Sequence, residues 1–363
     1  MGPLTTEDIG WYRIDDPAPF TTARRAAAEA GRRIGLSDVR LGELNIIVAE
    51  MTSNLVKHAN DGSLLLRYLY YDGIAGLELV AVDSGPGMAD MARSGRDGHS
   101  TAGTLGLGLG TISRLATRSD SYSLPGRGTV LVVEVWPDSK HSRAKAAAAH
   151  DTIRDPALVD APVGDGSVGD APRGAGGLTR PITGETVCGD RFAIRYVPTG
   201  VLLMLADGLG HGPLAGAAAD VAVAEFLAES AEAPAALLEA LHGRMRHTRG
   251  AAVGIAAIDR SARTVRFAGL GNITVNIVQP GERRSLTCMP GIVGHQRRTV
   301  REFSADLPKG SAVVLHTDGL TDRWTIDDYP TLLSHTPVVI AATLLRDAGL
   351  RRDDAGIVVG APS

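Results

Sequence analysis

Cysteine is almost missing from this sequence: Cys188 and Cys288 are the two thiols among 363 residues. Two cysteines cannot build a disulfide framework, and their scarcity fits a reducing cytoplasm. Neither sign of charge dominates. Lys and Arg total 37 against 41 Asp and Glu, a net charge of −4, which argues against a nucleic-acid surface and against a polybasic membrane anchor. No run of about 18 apolar residues occurs, so no transmembrane helix is expected. The opening stretch Met1-Gly2-Pro3-Leu4-Thr5-Thr6-Glu7-Asp8 has neither a basic region nor an apolar core, and it does not read as a signal peptide. Aromatic residues are scarce at 4%, beside 44 Gly and 19 Pro, a balance associated with GC-rich bacteria. No internal repeat is visible.

What is present is a globular composition, 44% hydrophobic and 21% charged, over a length that predicts two domains. The chain is organised around Leu205-Ala206-Asp207-Gly208-Leu209-Gly210-His211-Gly212. The apolar run from Val201 to Leu205 reads as a buried strand. Pro213 opens an Ala-rich segment, to about Ser230, with helical composition. Asp207 thus stands where a strand gives way to a glycine-rich turn. A carboxylate beside approachable backbone carbonyls is a ligand set for a hard divalent cation. The same residues also suit an ordinary turn.

Three further acidic sites share that context: Cys188-Gly189-Asp190, Thr317-Asp318-Gly319, and Arg351-Arg352-Asp353-Asp354. Asp318 follows an apolar run at 312–316 and Asp353 and Asp354 precede one at 356–359, so separate strand edges can deliver carboxylates to one cleft. Unpaired, they would repel and raise one another's pKa. Two divalent cations would remove that conflict and activate a bridging water.

The first half carries a different pattern. Residues 18 to 34 read as a helix, and Ser37-Asp38 as the cap of a second. In that second helix Leu41, Leu44, Val48, Met51 and Leu55 form one apolar face, with Glu50, Asn54 and Lys57/His58 on an adjacent stripe. The alternation from Gly76 to Val82 predicts a strand that delivers Asp83 into the turn Ser84-Gly85-Pro86-Gly87. Gly103-Thr104-Leu105-Gly106-Leu107-Gly108-Leu109-Gly110 reads as a loop running into a helix at Thr111, an arrangement that can cradle an anion. It lacks the Gly-Lys-Ser/Thr ending of a P-loop and does not follow a strand directly, which sets it apart from dinucleotide fingerprints. Gly126-Arg127-Gly128-Thr129 precedes a last strand over 130–135. Residues 138 to 177, without period and rich in Asp, Gly, Pro and Ala, read as a flexible tether.

The ordered set Glu-x-x-x-Asn, Asp-x-Gly-x-Gly, Gly-x-Gly-x-Gly and Gly-Thr resembles the ATP-binding fold of histidine kinases, gyrase and a class of heat-shock chaperones. It is most similar to the anti-sigma-factor and switch-kinase branch with its RsbT-like serine kinases, over residues 8 to 137 and including His99-Ser100-Thr101. The resemblance implies that Asp83 accepts the adenine amino group and that Gly85 and Gly87 let the base lie on backbone. It implies that Asn54 holds Mg²⁺ on the phosphates, that Gly106, Gly108 and Gly110 wrap the triphosphate, and that Thr129 supports the adenine pocket. Glu50 would be the general base for an attacking serine.

The second half resembles metal-dependent serine/threonine phosphatases of the type 2C superfamily, in the SpoIIE branch and near RsbX-like members. The matching stretches are Thr186 to Asp190, Leu205 to Gly212, Thr248 to Ala251, Gly269 to Asn272, Leu315 to Leu320 and Arg352 to Asp354. The resemblance implies that Asp207 bridges two Mn²⁺ or Mg²⁺ ions, with the Gly208 carbonyl assisting. Asp190 would serve one ion, and Asp318 and Asp353 the other. Between Asp353 and Asp354 the family pattern favours the first. Two departures stand out: no N-terminal arginine is placed to clamp a phosphate, and a Gly-Asp pair replaces Glu-Asp. His211 reads as structural more readily than as a proton donor, and Arg249 and Asn272 as packing or loop residues.

The expected architecture is α/β in two domains. An N-terminal α/β sandwich of the histidine-kinase/gyrase type spans 1–137, a linker 138–177, and a C-terminal α-β-β-α sandwich 178–363. The expected function is a cytoplasmic partner-switching regulator. Its phosphatase would act on a phosphoserine or phosphothreonine of a STAS-type anti-sigma-factor antagonist, and its ATP- and Mg²⁺-binding domain would phosphorylate the same partner class. A sigma factor or a stressosome-like complex is a further expected partner, and nucleic acid and membrane are not. Two alternatives keep the phosphatase: an ATP domain that only sequesters its partner, and one that only senses nucleotide.

Overall fold

The computed structural model describes residues 4–14, 17–71, 73–88, 105–137, 174–295 and 299–361. The chain divides into two compact units, the first Thr5–Pro172 and the second Arg173–Ser363 together with Met1–Leu4. Among the described residues no helix is long and apolar enough to cross a membrane, and both cysteines are free thiols.

In the first unit β1 (Leu4–Arg13) leads into α1 (Pro17–Arg33) and α2 (Asp38–His58), followed by β2 (Ser63–Tyr71), β3 (Ile74–Val82), α3 (Leu105–Leu115), β4 (Arg118–Leu124) and β5 (Gly128–Val135). Its strands lie in the order β1-β2-β3-β5-β4. Ser37 caps α2, its hydroxyl accepting from Arg40 N at 3.3 Å, the side-chain acceptor that an orphan first-turn amide requires. Leu44, Val48, Met51 and Leu55 of α2 are buried against Leu64 and Leu66 of β2 and Leu77 and Leu79 of β3. Each such side chain contributes roughly 1.5–3 kcal/mol by burial.

One expectation changes here. The glycine-rich run was expected to stay a loop until Thr111, yet α3 already begins at Leu105. Gly106, Gly108 and Gly110 are therefore helical. Glycine is a poor helix former, and packing supplies the reason for one of them. A Cβ at Gly108 would lie 2.7 Å from Glu50 Oε2, so the missing side chain lets α3 approach α2. His99, Ser100, Thr101 and Gly103 lie outside the described residues.

The second unit has two five-stranded sheets. The first runs β13-β10-β9-β8-β7, with β7 (Asp190–Val197), β8 (Gly200–Gly208), β9 (Ala251–Asp259), β10 (Thr264–Leu270) and β13 (Phe303–Asp306). The second runs β12-β11-β14-β15-β6, with β6 (Ala175–Arg180), β11 (Thr274–Gln279), β12 (Glu282–Leu286), β14 (Ala312–His316) and β15 (Ala355–Gly360). Helices α4 (Pro213–Ala228) and α5 (Pro234–Arg244) cover the first sheet, and α6 (Pro337–Ala348) packs on β6 and β15. The run 201–206 is apolar throughout because both faces of β8 are covered. Leu203 and Leu205 enter the core between the sheets, while Leu202 and Met204 enter the core under the helices. This is the expected α-β-β-α sandwich.

The tether read over 138–177 overlaps β6, which starts at Ala175. Glycines without periodicity read as a loop, but these two sit where side chains do not fit. A Cβ on Gly176 would meet Val338 Cγ2 at 2.6 Å, and one on Gly177 would meet the Ile357 carbonyl at 2.6 Å. Residues 138–173 lie outside the described residues.

Candidate functional site

The acidic edge of the second unit is built by strand register. Antiparallel pairing of β7 with β8 sets Asp190 directly opposite Asp207. Asp190 is 1% exposed, and its Oδ2 accepts from the Thr317 hydroxyl at 2.8 Å. That hydroxyl in turn accepts from Gly356 N at 2.9 Å. Thr317, wholly buried, therefore ties the ends of β14 and β15 to Asp190. In the sequence, its place before Asp318 is the one signal of this role.

Asp318 follows β14, and its Oδ2 accepts from Asn272 Nδ2 at 2.8 Å. Asn272 is thus a partner of the acidic edge and more than a loop residue. Asp353 and Asp354 separate cleanly. Asp354 is buried, with Oδ1 accepting from Ile182 N and Oδ2 from Gly189 N, both at 2.8 Å. Among the described residues Asp353 accepts only a neighbouring amide, Asp354 N at 3.0 Å.

The electrostatics show that these carboxylates share one field. Burial, and after it the charges of Asp318 and Asp353, push the Asp207 carboxyl up to about 7. Burial and then Asp207 hold Asp190 well above the ordinary carboxylate range. Burial and then Asp318 raise Asp353. Among the described residues no three His, Cys, Asp or Glu side chains are gathered closely enough to hold one metal ion. The four carboxylates form a repelling cluster of hard oxygen donors without a closed coordination shell, and that donor chemistry fits divalent cations. Gly208 is buried beside them, and its amide donates to the Gly189 carbonyl at 3.2 Å. Two residues weighed for this edge stand at its surface: His211 is exposed, 3.7 Å from Glu185 Oε1, and Arg249 is exposed beside Gly210.

The first unit has a cavity of about 140 Å³. Asn54 from α2, Asp83 from the end of β3, Gly87 from the turn beyond it and Thr129 from β5 all line it. Met51, Leu55, Leu109 and Leu131 supply apolar wall. Asp83 and Thr129 face each other because their backbones exchange hydrogen bonds, Asp83 N to Thr129 O at 3.0 Å and Thr129 N to Asp83 O at 3.2 Å. Asp83 Oδ1 accepts from Gly85 N at 2.7 Å. Gly87 has φ +63°, and a Cβ there would overlap the Leu124 carbonyl at 1.9 Å, so no other residue fits that turn. Thr129 Oγ1 lies 3.0 Å from Ser123 Oγ.

Glu50 is not among the lining residues. It meets Asn54 at Gly108, where a Cβ would lie 2.7 Å from Glu50 Oε2 and 3.7 Å from Asn54 Nδ2. Gly106 and Gly110 are in α3, and Gly110 is not among the described residues that line the cavity. The apolar lining was legible in part: Met51 and Leu55 were read as core, and the same stripe of α2 runs on into the cavity.

Comparison with known proteins follows the same division. The histidine kinase-like ATPase domain family matches residues 15–135, and the stage II sporulation protein E (SpoIIE) family matches residues 198–356. The serine/threonine-protein kinase RsbT of Bacillus subtilis (strain 168) is 29% identical over 129 residues, 36% of this chain and 97% of RsbT. The phosphoserine phosphatase RsbX of the same organism is 27% identical over 186 residues, 49% of this chain and 88% of RsbX. A crystal structure of RsbX in complex with magnesium aligns with a TM-score of 0.45 at 24% identity, over 51% of this chain and 93% of that one. The chain is therefore a fusion of two families, a histidine kinase-like ATPase domain similar to RsbT followed by a SpoIIE domain similar to RsbX.

Proposed function

We propose that the protein is a bifunctional partner-switching regulator of the cytoplasm, whose second unit hydrolyses phosphoserine or phosphothreonine on a STAS-type anti-sigma-factor antagonist. The observation that carries this reading is the cluster of Asp190, Asp207, Asp318 and Asp353, whose mutual repulsion calls for cationic partners. These four carboxylates, with the Gly208 carbonyl, would hold two Mn²⁺ or Mg²⁺ ions. Asp353 is favoured over Asp354 as a ligand because both oxygens of Asp354 already accept backbone amides. When bound, such cations supply charge neutralisation and lower the pKa of a coordinated water. The chain's own residues set the geometry. Thr317 orients Asp190, Asn272 orients Asp318, and the β7–β8 register fixes Asp207 opposite Asp190. In the hydrolysis a water oxygen bonds to phosphorus, the bond to the serine oxygen breaks, and that oxygen leaves with a proton.

The first unit would bind ATP with Mg²⁺ in the cavity between α2, β3 and β5, with adenine against Asp83 and Thr129 and the phosphates toward Asn54 and α3. The relatives' names describe opposed activities, a serine/threonine kinase and a phosphoserine phosphatase. By that analogy the ATP unit phosphorylates the partner that the other unit dephosphorylates, within a sigma-controlling or stressosome-like assembly. Glu50 would take the serine proton as the serine oxygen attacks the terminal phosphorus and ADP leaves. A second reading is favoured by the position of Glu50 off the cavity wall: the ATP unit binds and sequesters its partner without transferring phosphate.

Mn²⁺-dependent release of phosphate from a phosphorylated STAS protein tests the phosphatase half. Asp207→Asn removes the central charge with little change in volume and is expected to abolish release. Full activity in that variant, or in wild type under excess EDTA, would contradict the metal-cluster reading.

A further inference from the structure

A phosphate dianion approaching four carboxylates is repelled unless a fixed cation receives it. The structure offers one. Strands β8 and β9 pair with Asp207 opposite Ala252 and Gly208 opposite Ala251. Beyond the strands the ladder continues, Leu209 N donating to the Gly250 carbonyl at 3.1 Å. One step further, Arg249 lies beside Gly210, three residues past Asp207. Gly210 has φ +95°, and a Cβ there would stand 3.4 Å from an Arg249 guanidinium nitrogen. The glycine thus leaves the guanidinium an open face along the turn that carries Asp207.

The backbone under Arg249 is held on both sides. The Thr248 hydroxyl donates to Met245 O at 2.8 Å and accepts from Gly250 N at 3.0 Å, and His295 Nε2 lies 2.9 Å from Thr248 O. The side chain itself is exposed, and among the described residues nothing pairs with it. A cation on a fixed loop, free at its tip and next to the acidic edge, is disposed to receive an anion. Arg352 is a competing exposed cation, but its charge already acts on Asp353, the next residue.

We infer that Arg249 binds the phosphate of the phosphoester substrate, its planar fork taking two phosphate oxygens while the adjoining carboxylates hold the cations. The inference rests on the phosphatase reading above.

The test uses the full chain with Mn²⁺ and p-nitrophenyl phosphate, with inorganic phosphate as product inhibitor. Arg249→Ala is expected to raise both KM and the phosphate inhibition constant by roughly ten- to a hundredfold, the span expected for losing a charge-assisted hydrogen bond. The Mn²⁺ concentration for half-activation and the Tm should stay at wild-type values, and Arg249→Lys should recover part of the loss. Unchanged KM and inhibition constant in an active Arg249→Ala enzyme would overturn the inference alone. So would a shift in the Mn²⁺ requirement or Tm that accounts for the loss, since that is what a structural role produces. Wild-type protein without turnover would overturn the phosphatase reading on which the inference depends.

Discussion

Two neighbouring carboxylates, Asp353 and Asp354, show how differently the same side chain can be used. Asp354 is 5% exposed and joins three segments by accepting from Ile182 N and Gly189 N. Asp353 is raised in pKa by burial and by Asp318. Removing the charge from Asp354 weakens two charge-assisted hydrogen bonds, a loss of about 1–3 kcal/mol. Asp354→Asn is therefore expected to lower Tm with its Mn²⁺ requirement little changed. Asp353→Asn should keep or raise Tm in EDTA while demanding more Mn²⁺ for activity. Thermal melts beside Mn²⁺ activation curves on both variants check this, and the reverse pattern would exchange the roles of the two residues. In the first unit Asn54 and Asp83 line one cavity from α2 and the end of β3. Asn54→Ala and Asp83→Asn are each expected to weaken Mg²⁺-ATP binding in calorimetry. Undiminished affinity in both would place the nucleotide elsewhere.

At the scale of elements, the pairing of β7 with β8 sets Asp190 against Asp207, and stability should report that conflict. The Asp207 carboxyl is pushed from 3.8 to about 7. Below both values it is protonated in folded and unfolded chains alike and contributes nothing. Between about pH 4 and pH 7 the folded state keeps a proton that the unfolded state has lost, so stability falls as pH rises through that window and stays low above it. His242 and His316 act in the opposite sense, since burial lowers both and each charges on unfolding in acid. The difference between wild type and Asp207→Asn isolates the aspartate. In EDTA the variant is expected to melt higher than wild type at pH 8 and to converge with it near pH 4. Added Mn²⁺ should stabilise wild type at pH 8 far more than the variant. A wild type that melts higher than Asp207→Asn in EDTA at pH 8 would contradict the account of the cluster.

Much at this scale was legible. The continuous apolar run at 201–205 reported a buried strand, and the spacing from Leu44 to Leu55 reported the buried face of α2. The failures concern glycine. Gly106, Gly108 and Gly110 were read as a loop and are helical, and Gly176 and Gly177 were read as tether and lie in β6. In sequence, glycine signals freedom. At Gly108, Gly176 and Gly177 it signals crowding by Glu50, Val338 and the Ile357 carbonyl, which only the fold brings near. Thr317, which links Asp190 to β15, escaped for the same reason, since its partners are 127 and 39 residues away.

For the whole molecule, the reading is that one chain writes and erases the same mark. On that proposal a single isosteric change should silence each half. On the proposed roles, Asp207→Asn is expected to stop erasure, and Glu50→Gln to remove a general base worth roughly 10²–10⁴-fold in rate without removing Asn54 or Asp83 from the cavity. The most direct measurement follows label from γ-³²P-ATP into a STAS-domain partner, using the full chain with Mg²⁺, and then adds Mn²⁺. The account predicts that Asp207→Asn accumulates stable phosphopartner and that wild type loses it on Mn²⁺ addition. It also predicts that the double variant Glu50→Gln with Asp207→Asn labels at least about a hundredfold more slowly than Asp207→Asn alone. A partner that binds Asp207→Asn protein yet never takes up label would contradict the bifunctional claim and leave the ATP unit a sequestering module.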